Sequence, residues 1–310
     1  MSWLLWRQHR LQGAVAAGVL AALGILLWVT GVSMAHTYST AMSVCRANNT
    51  CGELNLFQGD GALVALVNFT VLVPVLVGVF WGATIVGREL DAGTNQLVWT
   101  QSVTRRSWLR SKILLLLVSS TAVGAILSGL VTWWSGTLNS YHHERFEGLK
   151  FDIQGAVPVA YTLFAAALGL AAGVLWRRTL PAIATTAAGF FVVRLVVENF
   201  ARPHFLHTIT STGAIGAGPN APLGSWLLST TVVLNGDVVQ GAIKLPVSCA
   251  GAATRAGASK CLADLGYSEV STYHPPSQYW TFQLTEAAIF LGLTAILTLV
   301  AVVALKRQDA

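Results

Sequence analysis

Six apolar runs, each long enough to cross the hydrocarbon core of a bilayer, constrain this chain more than any other feature. They fall at about residues 11–34, 62–86, 113–134, 156–176, 180–199 and 281–305. A helix needs about 20 apolar residues for the crossing, because each residue advances ~1.5 Å and every backbone polar group must be satisfied within the segment. Charge agrees with this reading. Only 10% of residues are charged and mean hydropathy is +0.61, whereas a soluble domain carries about 25% charged residues. The expected fold class is therefore an all-α polytopic membrane protein with six transmembrane helices. The formal net charge of +6 does not indicate nucleic acid as a partner, because the basic residues collect at span ends and not on one soluble face.

Orientation follows from Lys and Arg, which resist translocation. Placing 1–10, 87–112, 177–179 and 306–310 in the cytoplasm puts eleven basic residues there, against seven in 36–60, 135–155 and 200–280. That is about one residue in four against about one in eighteen, a clear bias, so both termini are expected inside. The start, MSWLLWRQHR, sets Trp3, Leu4 and Trp6 beside Arg7, His9 and Arg10, a pattern for an interfacial helix over 1–10. Ser33-Met34-Ala35 resembles a signal cleavage site, but the preceding apolar run exceeds the roughly 7–15 residues of a signal core. Pro74 interrupts the second run, while Pro158 and Pro181 lie near helix starts, where proline costs least.

The cysteines test that orientation independently. Cys45 and Cys51 fall in the first expected outer loop, and Cys249 and Cys261 in the last. Four cysteines allow three pairings, and local pairing within each loop is the simplest. Bridges require an oxidising compartment. Zinc is the competing reading, but no histidine stands at ligand spacing beside either pair, and no metal site is expected. The expected extracellular loop region, 200–280, is rich in Gly, Ser, Thr and Pro. It reads as an irregular cap held by its bridge, within a single permease domain covering 1–310.

Two charges interrupt the fifth run. Arg194 and Glu198 are one helical turn apart and can pair. They read either as a self-neutralised pair near the outer interface or as residues lining a translocation path, since charge within a span is costly and often functional. Glu286, near the outer end of the last run, reads as interfacial. His204 and His207, and His142-His143, lack a third ligand at metal spacing. No phosphate loop, G-x-S-x-G or H-E-x-x-H motif occurs, so no catalytic residue is assigned and the chain is not read as an enzyme by itself.

The stretch Gly87–Lys112, GRELDAGTNQLVWTQSVTRRSWLRSK, is too patterned for a connector. Arg88, Glu89 and Asp91 lie where the second span ends, and Gly93 supplies a break. Thr94 can cap a short helix carrying Leu97, Val98, Trp99 and Gln101, and Thr104 can cap the next. An amphipathic helix offered to a cytoplasmic partner fits this pattern. An interfacial anchor with Trp99 and Trp108 at headgroup level is the alternative.

Residues 80–112 resemble the second span and coupling loop of ABC-2 family permeases, most closely the actinobacterial branch. The matching residues are Arg88, Glu89, Gly93, Thr94, Leu97, Trp99, Thr100, Gln101, Ser102, Val103, Thr104, Arg105 and Lys112. WLLWRQHR, VPVAYTLFAAALG and RRTLPA are similar to that branch elsewhere. The resemblance implies an ABC-2 type exporter fold and a multi-pass protein of the bacterial plasma membrane. It further implies two separate ATPase subunits carrying ATP and Mg, with no cofactor on this chain. A second permease copy or paralogue, surrounding membrane lipid and an exported drug, antibiotic, peptide or lipid complete the implied partners. A secondary transporter using Arg194 and Glu198 is the alternative, although no internal repeat supports it. A non-transporting membrane sensor is another.

Overall fold

The computed structural model describes residues 2–48, 61–93, 105–142, 145–215, 220–239, 246–249 and 254–307. Among these, six helices are long and apolar enough to cross a membrane. They are Gly13–Ala47, Gly61–Asp91, Ser107–Tyr141, Val157–Trp176, Thr179–His204 and Pro276–Arg307, here the first to sixth spans. The expectation of a polytopic membrane protein with six helical spans therefore holds, and the chain is mostly, though not entirely, helical. Most helices overrun the apolar boundaries, because hydrogen bonding stops at turns and breakers, not where hydropathy falls. The first helix runs unbroken from Ser2 to Asn48, or ~70 Å at 1.5 Å per residue. Residues 2–10 are thus its first turns, and the separate interfacial helix expected there is not formed.

The chain divides into two compact units. The first comprises Met1–Tyr141, Gly148–Glu198 and Gln283–Ala310 and contains the bulk of the spans. Its second span is irregular for a local reason. Pro74 has no N–H to give the carbonyl of Thr70, and the ladder adjusts with a 3-10 turn over Phe69–Leu72 and a π-helical turn over Gly78–Gly82. That irregular stretch lies against the fourth span, the most buried of the six. A methyl at Gly78 would sit 2.6 Å from the Ala165 carbonyl oxygen, and one at Gly82 2.5 Å from that of Ala166. Backbone meets backbone there, which is the use membrane helices make of small residues. Around this seam Val77, Val86, Trp108, Leu116, Leu170 and Leu305 form a buried cluster from the second, third, fourth and sixth spans. Leu27, Met34, Val67, Leu127, Val131 and Trp134 form another, from the first three.

The second unit comprises His142–Glu147 and Asn199–Phe282. The irregular cap expected over 200–280 is instead built on a four-stranded antiparallel sheet, ordered β1-β4-β2-β3. Its strands are β1 Ile209–Ala214, β2 Trp226–Leu234, β3 Asp237–Val238 and β4 Tyr267–His274. The Gly, Ser, Thr and Pro of this region read as loop, but its strands also carry Thr, Val and Tyr, which suit a half-exposed pleated surface. The helix Arg255–Asp264, capped by the Thr254 hydroxyl accepting from Gly257 N at 3.1 Å, carries Cys261. Its bridge to Cys249 spans 5.7 Å between Cα atoms and lies against Ile215 and Leu262. Cys45 is also disulfide-bonded, while Cys51 lies outside the described residues.

Candidate functional site

Two groups of buried charges lie in the first unit. One is where the second span ends and the third begins. The second span's helix stops at Asp91, and Ala92 and Gly93 form the turn, with Gly93 at φ +67°, a backbone state that glycine adopts without steric cost. Thr94, Leu97, Val98, Trp99, Thr100 and Gln101 lie outside the described residues. Arg105 opens the helix of the third span, and Arg88 is exposed.

Glu89 is held from the third span. Lys112 Nζ donates to Glu89 Oε1 at 2.5 Å and to the Ile85 carbonyl at 2.8 Å. The ammonium also lies 5.1 Å from the centroid of the Trp108 ring, within cation–π range. Lys112 is only 1% exposed, so it can remain there only because these partners replace its hydration. The ends of the second and third spans are thereby pinned together on either side of residues 94–104. Asp91 adds a link to the fifth span: its Oδ2 accepts from Thr179 N at 3.2 Å and from Thr179 Oγ1 at 3.0 Å. The N-cap residue Arg178 supplies no side-chain cap, so this distant carboxylate satisfies an amide that opens the helix.

The second group is at the opposite end of the spans by chain connectivity. Arg194 Nε donates to Asp152 Oδ2 at 2.9 Å, and Nη2 donates to the same oxygen. Glu198 Oε2 is 3.4 Å from Nη2. Arg194 and Glu198 therefore meet as the expected pair one turn apart, and Asp152, which sequence reasoning did not supply, is a second and closer carboxylate on the same guanidinium. Asp152 belongs to the short helix Gly148–Ile153 that connects the third and fourth spans. Tyr161 of the fourth span donates to Glu286 of the sixth, and its oxygen lies 3.4 Å from Asp152 Oδ1. Glu286, expected at the interface, is fully buried, because Tyr161 gives its carboxylate a partner within the protein. Gln283 Oε1 accepts from the amides of Ala156 and Val157, both at 3.0 Å, and its Nε2 donates to the Phe151 carbonyl at 2.9 Å. One glutamine thus caps the fourth span and fixes the connector. Asn139 Nδ2 to Gln154 Oε1, at 2.7 Å, ties the connector to the third span.

Sequence reasoning found Arg194 and Glu198 and passed over Asp152, Tyr161 and Gln283. A signal was available for the first: an acidic residue between Phe151 and Ile153, close to the start of an apolar run, needs a cationic partner if it is buried. Arg194 is a basic residue inside a span that also needs one.

The amino-acid chain matches the family model for ABC-2 membrane transporter related proteins over residues 17–202. That range covers more than half of the sequence, and the chain belongs to this family. Membership makes it a multi-pass membrane protein and a membrane component of an ABC transporter, consistent with a plasma-membrane location, and gives it an ATPase partner in general terms. No curated protein and no solved structure matches the chain.

Proposed function

We propose that this protein is the transmembrane subunit of an ATP-driven exporter, moving a hydrophobic or amphipathic substrate out of the cell. Drugs, antibiotics, peptides and lipids are the candidate classes. On this reading two separate ATPase subunits, holding ATP and Mg, dock on residues 87–112, and a second permease copy or paralogue completes the membrane part. Both termini are then cytoplasmic. The Trp99–Arg105 run supports assignment to the actinobacterial branch.

The observation that carries the reading is the Glu89–Lys112 bridge. A membrane subunit driven from below must receive force through a segment joined firmly to its spans, and this bridge clamps the two helices from which the segment hangs. Co-purification with the ATPase, paired with transport in vesicles, tests it. Trp99→Ala is expected to weaken docking roughly thirtyfold, the effect of losing an aromatic anchor worth about 2 kcal/mol. Glu89→Ala is expected to leave docking nearly intact while transport per ATP hydrolysed falls. Normal docking and normal transport in both variants would reduce the segment to a membrane anchor.

A further inference from the structure

The first and third spans touch along only part of their length. From residue 24 onward they are in contact: Trp28 stacks on Trp133 with ring centroids 5.2 Å apart, and Trp134 Nε1 donates to Thr30 Oγ1 at 3.0 Å. A methyl at Gly31 would lie 2.8 Å from the Trp133 ring. Nearer the start of the first span there is a gap instead, and a methyl at Gly13, on its lining, would meet nothing within 4 Å. The gap is a groove of about 420 Å³ lined by Gly13, Ala17 and Leu20, by Trp81 of the second span, and by Ala122 and Ile126 of the third. Its one hydroxyl, Ser119 Oγ, already donates to the Leu116 carbonyl at 3.1 Å. Water held in a cavity needs two to four polar partners, and this groove does not supply them. Its occupant within a membrane is hydrocarbon.

The end of the groove narrows the choice of hydrocarbon. Arg10 and Arg88 are both exposed. Each stands seven residues before or after a groove residue, Ala17 and Trp81 respectively. Seven residues are two turns, so each arginine shares its helix face with the groove, ~10 Å further along the axis. Long basic side chains at span ends reach toward the headgroup layer, and the guanidinium fork suits phosphate.

We propose that this groove is a binding site for an anionic phospholipid of the surrounding bilayer, with one acyl chain between the first, second and third spans and its phosphate on Arg10 and Arg88. The two arginines supply the selectivity and the groove supplies the residence. Lipid at the general protein perimeter would have neither.

The test uses the full chain in nanodiscs of equimolar phosphatidylglycerol and phosphatidylcholine, re-extracted in mild detergent and analysed by native mass spectrometry. One retained phosphatidylglycerol per chain is expected, enriched roughly thirtyfold over phosphatidylcholine, the order expected of two arginines near an anionic headgroup at about 1 kcal/mol each. Gly13→Leu with Ala17→Leu, directed into open space, should abolish retention. Arg10→Gln with Arg88→Gln should abolish the enrichment while some lipid is still held. Equal retention of both lipids by the unaltered chain overturns the proposal, as does enrichment that survives filling the groove. A dimer mass that the leucine pair disrupts, with no lipid bound, overturns it in favour of a second copy of the chain. Should the leucine pair fail to fold, the glutamine pair decides, and unchanged enrichment there overturns it.

Discussion

Where the second span ends, a single lysine bridges to Glu89 and to the carbonyl of Ile85, so its contacts join only two neighbouring spans. At the other end, the Asp152, Arg194, Tyr161, Glu286 and Gln283 side chains interlock the connector with the fourth, fifth and sixth spans. Both places bury charge, but they distribute it differently. The free energy needed to open a region locally rises with the number of buried contacts that must break together. Among the described residues, the buried charge at the Lys112 end therefore holds two spans through one ion pair, whereas at the interlocked end several contacts must yield at once.

The largest expected effect is at the interlocked end. Arg194→Met would leave the Asp152 carboxylate, only 2% exposed, without its cation, and such a loss costs about 3–5 kcal/mol. Yield and thermal unfolding in detergent should fall sharply, and Asp152→Leu added to Arg194→Met should restore part of the loss. If the single and double variants proved equally stable, the interlocked end would be no lock. A smaller loss, about 1.5–3 kcal/mol for hydrogen bonds to a charged group, is expected for Lys112→Met. The Glu89 side chain is 14% exposed and can recover some hydration. A destabilisation as large as that of Arg194→Met would erase the contrast between the ends. The smallest effect, about 1 kcal/mol as for other lost helix caps, is expected for Asp91→Ala, since its bonds to Thr179 are exposed. Hydrogen exchange at the first turn of the fifth span would localise it, and a global change in melting would show that Asp91 has a wider role.

Hydropathy made the spans legible, because the membrane requirement acts locally on every twenty residues. The helix ends were less so: nothing in MSWLLWRQHR distinguishes a surface helix from the first turns of a long one. Arg194 and Glu198 were visible because four residues separate them on one helix. Asp152 lies 42 residues from Arg194, and only the packing of the connector against the fifth span joins them. The sheet was hidden by composition, yet YSEVSTYH and WLLSTTVVL carry β-branched and aromatic residues at strand density. Reading them as polar loop gave polarity more weight than side-chain shape.

At Gly78 and Gly82, whose added methyls would run into the carbonyls of Ala165 and Ala166, no side chain separates the second and fourth spans. A layer of side chains lets neighbouring helices slide by exchanging rotamers. Without one, a shift of the second span along its axis meets bare carbonyls, and the two helices translate together or not at all. At Gly169, too, an added methyl would fall 2.5 Å from the Ala83 amide nitrogen. Substitutions along this seam are thereby confined to the smallest residues, whereas an added methyl at Gly13, Gly129 or Gly136 would meet nothing within 4 Å.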